Sequence, residues 1–468
     1  MKNSIFFAPF LFFVSFLFFM AVGPSPASAD QEGASAPAAD LPLYIDHLHI
    51  VDINTGQINR DRQLHIRAGK IIAIHAAGTA ITSENYIRHD AEGMYATPGL
   101  IDMHVHAYDP AAFTIALSHG VTHLRLMNGV KEHITWRKEL EQGARVGSTI
   151  TVSSPIISDF KQARMHHTVQ TPAEAVDAVI QAKHQGYDLI KAYGNLSAPV
   201  LAALLSEARK QRMPVAKHGP HPAAGMAWNE LAGLQSLEHV EDIYQGPLNY
   251  HQDQQQLDEA LVTLKTLEVP VTPTLNIFWQ LTQLSDQKQD YIDTLPEGYI
   301  SPIIALEARH NQVKRWLNSS AEMVEHNKKT LAFLQEITRQ LHQAEIPLLV
   351  GSDSGVLLSP YGLATHTEMR LMHQAGLPAI AVLRAATINA AKALGKESQL
   401  GTVAVGFNAD LILSEQNPLE QLVTLERPAA VVKNGRLFSK ARLEALRNQA
   451  IDDRSLWQEL KTLAQAGN

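Results

Sequence analysis

The chain has 468 residues, of which 45% are apolar and 18% charged, a size that suits one large domain with a smaller unit beside it. Its net charge of -8 offers no basic footprint for nucleic acid, and the lack of cysteine excludes disulfide frameworks and thiolate chemistry. A transition-metal site must then draw on the 22 histidines, on carboxylates or on lysine-derived groups.

Residues 1–29 read as a signal peptide. Lys2 gives a positive start, Ile5 to Val22 a Phe- and Leu-rich apolar run, and Ala27-Ser28-Ala29 a small-residue cleavage site. The expectation is a periplasmic or secreted protein with no stable membrane anchor after cleavage. Residues 30–42 read as a flexible linker. Residues 43–98 alternate short apolar runs with turns such as Asn54-Thr55-Gly56 and Gly69, which are hairpin signals.

From Gly99 the pattern becomes strand, helix, strand, helix. Eight apolar strands are predicted: Leu100 to His106, Val121 to Met127, Thr149 to Ser154, Tyr187 to Tyr193, Met213 to His218, Ser236 to His239, Val269 to Leu275, and Ile346 to Asp353. Thr171-Pro172-Ala173-Glu174 supplies a helix start and Gly186 its stop. Polar-faced helices are expected between Phe278 and Gln343, and two more between Gly362 and Leu394. Residues 401–438 return to strands and turns, with Asn434-Gly435 as a hairpin signal. The predicted architecture is α/β. A TIM-type (β/α)8 barrel (99–399) is inserted in a small β-sandwich domain built from 43–98 and 400–440, and a helical tail spans 441–468.

In such a barrel the chemistry sits at the C-terminal strand ends. His104 and His106 end the first strand at spacing i, i+2, which points both imidazoles to one face. Lys191 lies near the end of the fourth strand, His218 ends the fifth, His239 the sixth and Asp353 the eighth. Burial would lower the pKa of Lys191, and its neutral amine can take up carbon dioxide to form an anionic carbamate able to bridge two metals.

Several segments together resemble the amidohydrolase superfamily, and within it the imidazolonepropionase-like and prolidase-like (Xaa-Pro dipeptidase-like) metal-dependent hydrolases. They are Pro98-Gly99-Leu100-Ile101-Asp102-Met103-His104-Val105-His106, Ser236-Leu237-Glu238-His239 and Gly351-Ser352-Asp353-Ser354-Gly355. To these are added the run from Ala385 to Gly395, Gly401-Thr402-Val403, Gly406 to Leu411, Asn417-Pro418-Leu419, and Val432 to Gly435. The resemblance implies two divalent ions, favouring zinc. One would be held by His104, His106 and Asp353, the second by His218 and His239, with carboxylated Lys191 between them.

It also implies hydrolysis of a C–N bond in a small substrate such as a dipeptide, an N-acyl amino acid or a cyclic amide. A metal-bound hydroxide would attack, with Asp353 as general base and then acid. Lactone or phosphoester hydrolysis on the same fold is the alternative, as is a non-catalytic periplasmic metal-binding protein, against which the complete ligand set argues. Two departures stand out: Arg125 in Val121-Thr122-His123-Leu124-Arg125-Leu126 has no following aspartate, and His221 rivals His218 as a ligand. Tyr193 and His366 are the first candidates for substrate binding, followed by His167 and His221, with Arg164 and His166 on the same side. The partner is a small molecule, and self-association is left open.

Overall fold

The computed structural model describes residues 41–466 apart from positions 84, 162, 164 and 311. The signal peptide, nearly all of the linker and Arg164 lie outside the described residues. The chain starts with β1 (Leu43–Val51), β2 (Ile58–Arg67), β3 (Lys70–Ala76), β4 (Ile87–Asp90) and β5 (Tyr95–Pro98). β1 to β3 pair antiparallel in sequence order, while β4 and β5 run parallel to β1. Alternating apolar residues (Leu43, Ile45, Leu64, Ile66) share one buried face, as the strand period requires.

Gly99 then turns the chain into β6 (Leu100–Val105). A Cβ at Gly99 would lie 2.2 Å from Thr122 Oγ1, so only glycine allows this close approach. β7 (Val121–Leu126) and β8 (Thr149–Val152) continue a three-stranded parallel sheet with β6. A six-stranded sheet follows. It is formed by β9 (Ile156–Ser158), β10 (His166–Thr168), β11 (Ile190–Ala192), β12 (Val215–His218), β13 (Ser236–Glu238) and β14 (Val271–Thr272), in the order β10-β9-β11-β12-β13-β14. The connecting helix Pro172–Gln185 has the expected capping box of Thr171 and Glu174 and ends at Gly186 with φ 86°.

Backbone hydrogen bonds link the two parallel sheets at both sides. Ser154 N–H donates to Leu189 O at 2.8 Å on one side. On the other, residues 347–353 run between β14 and β6: Leu349 N–H donates to Val271 O at 2.9 Å, Met103 N–H to Val350 O at 2.8 Å, and Asp353 N–H to His104 O at 2.7 Å. The sheets therefore curl with their C-terminal strand ends on one side. The eighth predicted strand, Ile346 to Asp353, forms only isolated bridges at Leu348 and Ser354. Pro347 lacks an amide donor, and Asp353 adopts a left-handed φ of 52°, so the extended run is broken at both ends.

β15 (Leu411–Ser414), β16 (Ala430–Lys433) and β17 (Arg436–Ser439) lead back to the first sheet. β15 pairs antiparallel with β5, giving one eight-stranded sheet in the order β17-β16-β15-β5-β1-β2-β3 with β4 beside β1. Asn434 and Gly435, at φ 51° and 76°, make the tight turn between β16 and β17. Helices Lys440–Asp452 and Leu456–Ala466 pack against helices Ala111–Ser118 and Pro302–His310 respectively. Among the described residues, no helix is long and apolar enough to cross a membrane.

Candidate metal centre

A cavity of about 150 Å³ opens where the parallel strands end. Its walls include His104, His106, Lys191, His218, His239 and Asp353, the six metal-type residues expected at the strand ends. Two larger cavities, about 370 and 360 Å³, lie beside the C-terminal helices and hold none of the predicted site residues.

The ligand atoms of His104, His106 and Asp353 lie within 4.8 Å of one another. Asp353 Oδ1 is 3.1 Å from His106 Nε2 and 3.6 Å from His104 Nε2, yet this buried oxygen makes no hydrogen bond. A carboxylate oxygen and two imidazole nitrogens that converge without hydrogen-bond geometry fit a cation between them. His239 continues the cluster, with its ring centroid 4.7 Å from that of His104 and 4.4 Å from that of His218.

Two of these imidazoles, His104 and His239, are oriented from behind by hydrogen bonds. His104 Nδ1–H donates to Glu238 Oε2 at 2.7 Å, which leaves Nε2 as a lone pair facing Asp353. Thr274 donates its hydroxyl proton to Pro273 O at 2.7 Å, so its oxygen accepts from His239 Nδ1 at 2.8 Å and Nε2 of His239 is left free. Oxygen partners of this kind set the tautomer of metal-binding histidines. His218 Nε2 lies 3.2 Å from Asp242 Oδ2 without hydrogen-bond geometry. His239 and Asp353 both have positive φ, 72° and 52°, a backbone conformation that surrounding structure must enforce at non-glycine residues.

Lys191 is 1% exposed, and its Nζ has no hydrogen-bond partner. Burial pushes it down to about 8, with Glu238 opposing and Arg125 assisting. A buried, unpaired amine with a depleted proton is chemically suited to carbon dioxide. Burial also brings His104 down to about 4, so its imidazole is neutral near pH 7. Burial would raise the Asp353 carboxyl, but the imidazoles of His104, His106 and His239 outweigh it and hold the group below its ordinary range.

A buried ionic layer supports the floor of the cavity. Arg125 and Glu238 are both fully buried. Arg125 donates from Nη2 to Glu238 Oε1 at 2.7 Å, from Nη1 to Ser236 Oγ at 2.7 Å, and from Nε to Met103 O at 2.6 Å. Arg125→Met would leave Glu238 ionised and unpaired in the interior, at a cost of about 3–5 kcal/mol. Chemical denaturation of the metal-free protein should read a loss of that size, and an unchanged midpoint would refute this role.

Other parts of the sequence reading need correction. His366 is not brought to the cavity: it is buried on helix Leu363–Gln374, and its Nε2 bonds His119 O at 2.8 Å. His167 is exposed, because strand alternation turns its neighbour His166 inward instead. His221 lies in the turn after β12 near Gly219, while His218 is the one that lines the cavity. Tyr193 does line it, stacked on His218 with centroids 4.1 Å apart. His166, named with Arg164 on the mouth side, lines the cavity, while Phe160, Glu241, Asp242 and Thr274 were missed. Glu238 and Arg125 were quoted without a role, although a charge of each sign inside apolar strands is itself a signal for a buried pair.

Comparison with known proteins bears on the family and the fold. A model described as the amidohydrolase family matches residues 95–438. A candidate prolidase from Bifidobacterium longum has a TM-score of 0.68 at 25% identity, covering 88% of this chain and 99% of that one. Bottromycin amidohydrolase has a similar fold, with a TM-score of 0.72 at 22% identity over 87% of this chain and 89% of its own. The ochratoxinase of Aspergillus niger is 28% identical over 136 residues, and that match spans only 28% of either chain. Its crystal structure has a TM-score of 0.63 at 18% identity, covering 86% of this chain and 96% of that one.

Proposed function

Because the chain belongs to the amidohydrolase family, as the motifs at its strand ends implied, we propose that it is an exported, metal-dependent hydrolase cleaving a C–N amide bond of a small substrate. The observation that carries this reading is the convergence of His104, His106 and Asp353 beside an unpartnered buried Lys191. The family's neighbours imply a TIM-type barrel, and the hydrogen bonds at both sheet junctions support reading the curled sheets as closed.

His104, His106 and Asp353 would hold one divalent ion. His218 and His239 would hold the second, with Lys191 as a carbamate between the two. Histidine and carboxylate ligation suits zinc. Such ions, when bound, polarise a carbonyl and lower the pKa of water to about 7.

The protein's own groups then do the rest. Asp353, ionised and free of hydrogen bonds at Oδ1, takes the proton of the attacking water. It returns that proton to the amide nitrogen as the C–N bond breaks, so one carboxylate serves both halves of the reaction. Glu238 and Thr274 keep the His104 and His239 imidazoles aimed, which limits the reorganisation needed during the reaction. Tyr193, Phe160 and Ile277 shield one side of the cavity from water.

The test is a screen of metal-loaded protein against dipeptides, N-acyl amino acids and cyclic amides, with lactones and phosphoesters alongside. The expected result is amide turnover that disappears on chelation and returns when metal is added back. Preferential lactone or phosphoester turnover, or none at all, would overturn the reading.

A further inference from the structure

We infer that Glu241 recognises an ammonium group on the substrate, so that the preferred substrates are α-aminoacyl amides with a free amine and an apolar side chain. This rests on the amide-hydrolase reading above and adds to it a substrate class.

Glu241 stands two residues beyond His239, in the first turn of helix Glu241–Gln245, and lines the cavity. One of its carboxylate oxygens accepts from Gln245 Nε2, which anchors the group. No other hydrogen bond engages the carboxylate among the described residues. The adjacent Asp242 also lines the cavity, with its Oδ2 3.2 Å from His218 Nε2 and without hydrogen-bond geometry. The nearby Lys217 gives its Nζ to the carbonyls of His218 and Gly219, at 3.1 and 2.7 Å. Among the described lining residues, Lys191 is the one lysine or arginine, and as a carbamate it would be anionic. Glu241 is thus an anchored acid presented to the cavity without a cation of its own.

Beside His166 and Thr274, the remaining wall carries the apolar side chains of Ile156, Phe160, Tyr193, Ile277 and Val356. Phe160 meets Tyr193 edge-on with centroids 5.7 Å apart, forming a firm aromatic surface. A ligand placing its scissile carbonyl at Asp353 has an acid and an apolar surface available for its other end. An α-amino acid residue carries an ammonium and a side chain on one carbon and can satisfy both. An N-acylated residue would leave Glu241 facing a neutral amide. A hydrogen bond between charged groups in a secluded site is worth roughly 10- to 100-fold in affinity.

The experiment measures binding and cleavage separately. Calorimetry on metal-loaded protein would compare L-phenylalaninol with N-acetyl-L-phenylalaninol, whose acetamide is checked intact by mass spectrometry after each titration. The free amine is expected to bind at least about tenfold more tightly. Glu241→Gln, checked for metal content and thermal melting, should bring that ratio close to one. Glu241→Ala serves if the Gln variant loses metal. Equal binding to the parent, or a preference that survives both substitutions, would overturn the inference.

Parallel assays of phenylalanine anilide and its N-acetyl form separate the two readings. Glu241-dependent binding with no hydrolysis of either would sink the hydrolase reading alone. Hydrolysis of both at equal efficiency would sink the ammonium inference alone.

Discussion

Asp353→Asn should lower turnover at saturating metal by about 10³-fold or more, while leaving the fold and its melting temperature nearly unchanged. The substitution is isosteric, and asparagine tolerates the left-handed backbone that this position requires at φ 52°. The backbone bond from residue 353 to His104 O is retained, so the loop keeps its place. What is lost is the charge and basicity of an oxygen lying 3.1 Å from His106 Nε2 and 3.6 Å from His104 Nε2. An amide can neither take the proton of water nor return one to a leaving nitrogen. Its weaker ligation should also loosen the ion held with His104 and His106, so metal must be kept saturating and its content measured. A variant within tenfold of the parent would remove Asp353 from the mechanism.

Lys191→Ala should reduce bound metal from about two equivalents to one or fewer and cut activity by about 100-fold or more. Elemental analysis of protein purified without chelators gives the first quantity and steady-state assays the second. An ordinary core lysine would be missed for its packing and its ion pair, but Lys191 Nζ has no partner to lose. The metal-free variant should therefore lose only the packing of the buried side chain, offset in part by relief of an unpaired buried amine.

The pH dependence has a definite sign. In the folded chain Lys191 sits near 8, against an ordinary value of 10.5. Between those values the unfolded chain binds the extra proton, so the metal-free parent gains stability as pH rises through this window, and the gain is complete above the unfolded value. That rise should be smaller in the alanine variant, the remainder coming from Lys217, which burial also brings down to about 8. Two equivalents of metal in the variant would refute the bridging role.

The metal-type residues could be read from the sequence because parallel strands concentrate chemistry at one end. A histidine or aspartate closing an apolar run is a local pattern, and four such strands, with Lys191 near the end of a fifth, converge on one place. Helix ends were legible for the same reason: Thr171, Pro172, Glu174 and Gly186 act within a few residues of each other. The supports behind the ligands were not. Arg125 and Glu238 meet across 113 positions of sequence, and Thr274 reaches His239 across 35. Strands β9 and β10, only three residues each, carry no periodicity to find, so the sequence could not tell that His166 rather than His167 faces the cavity. His366 was chosen for closeness to Asp353 along the chain, but its helix turns it toward His119 instead.

The eight-stranded sheet joins Ile412 on β15 to Thr97 on β5, so strands near opposite ends of the chain are hydrogen-bonded neighbours. A ribosome must therefore finish almost the whole polypeptide before β5 gains its second neighbour. Until then the nascent chain carries an unfilled sheet edge with Leu43, Ile45 and Ile50 only partly covered. Contacts of such sequence separation make for slow folding and a long-lived incomplete state. A chain of this design gains from being kept unfolded until synthesis is over, and the same order of events delays the supporting sheet until the last strands arrive.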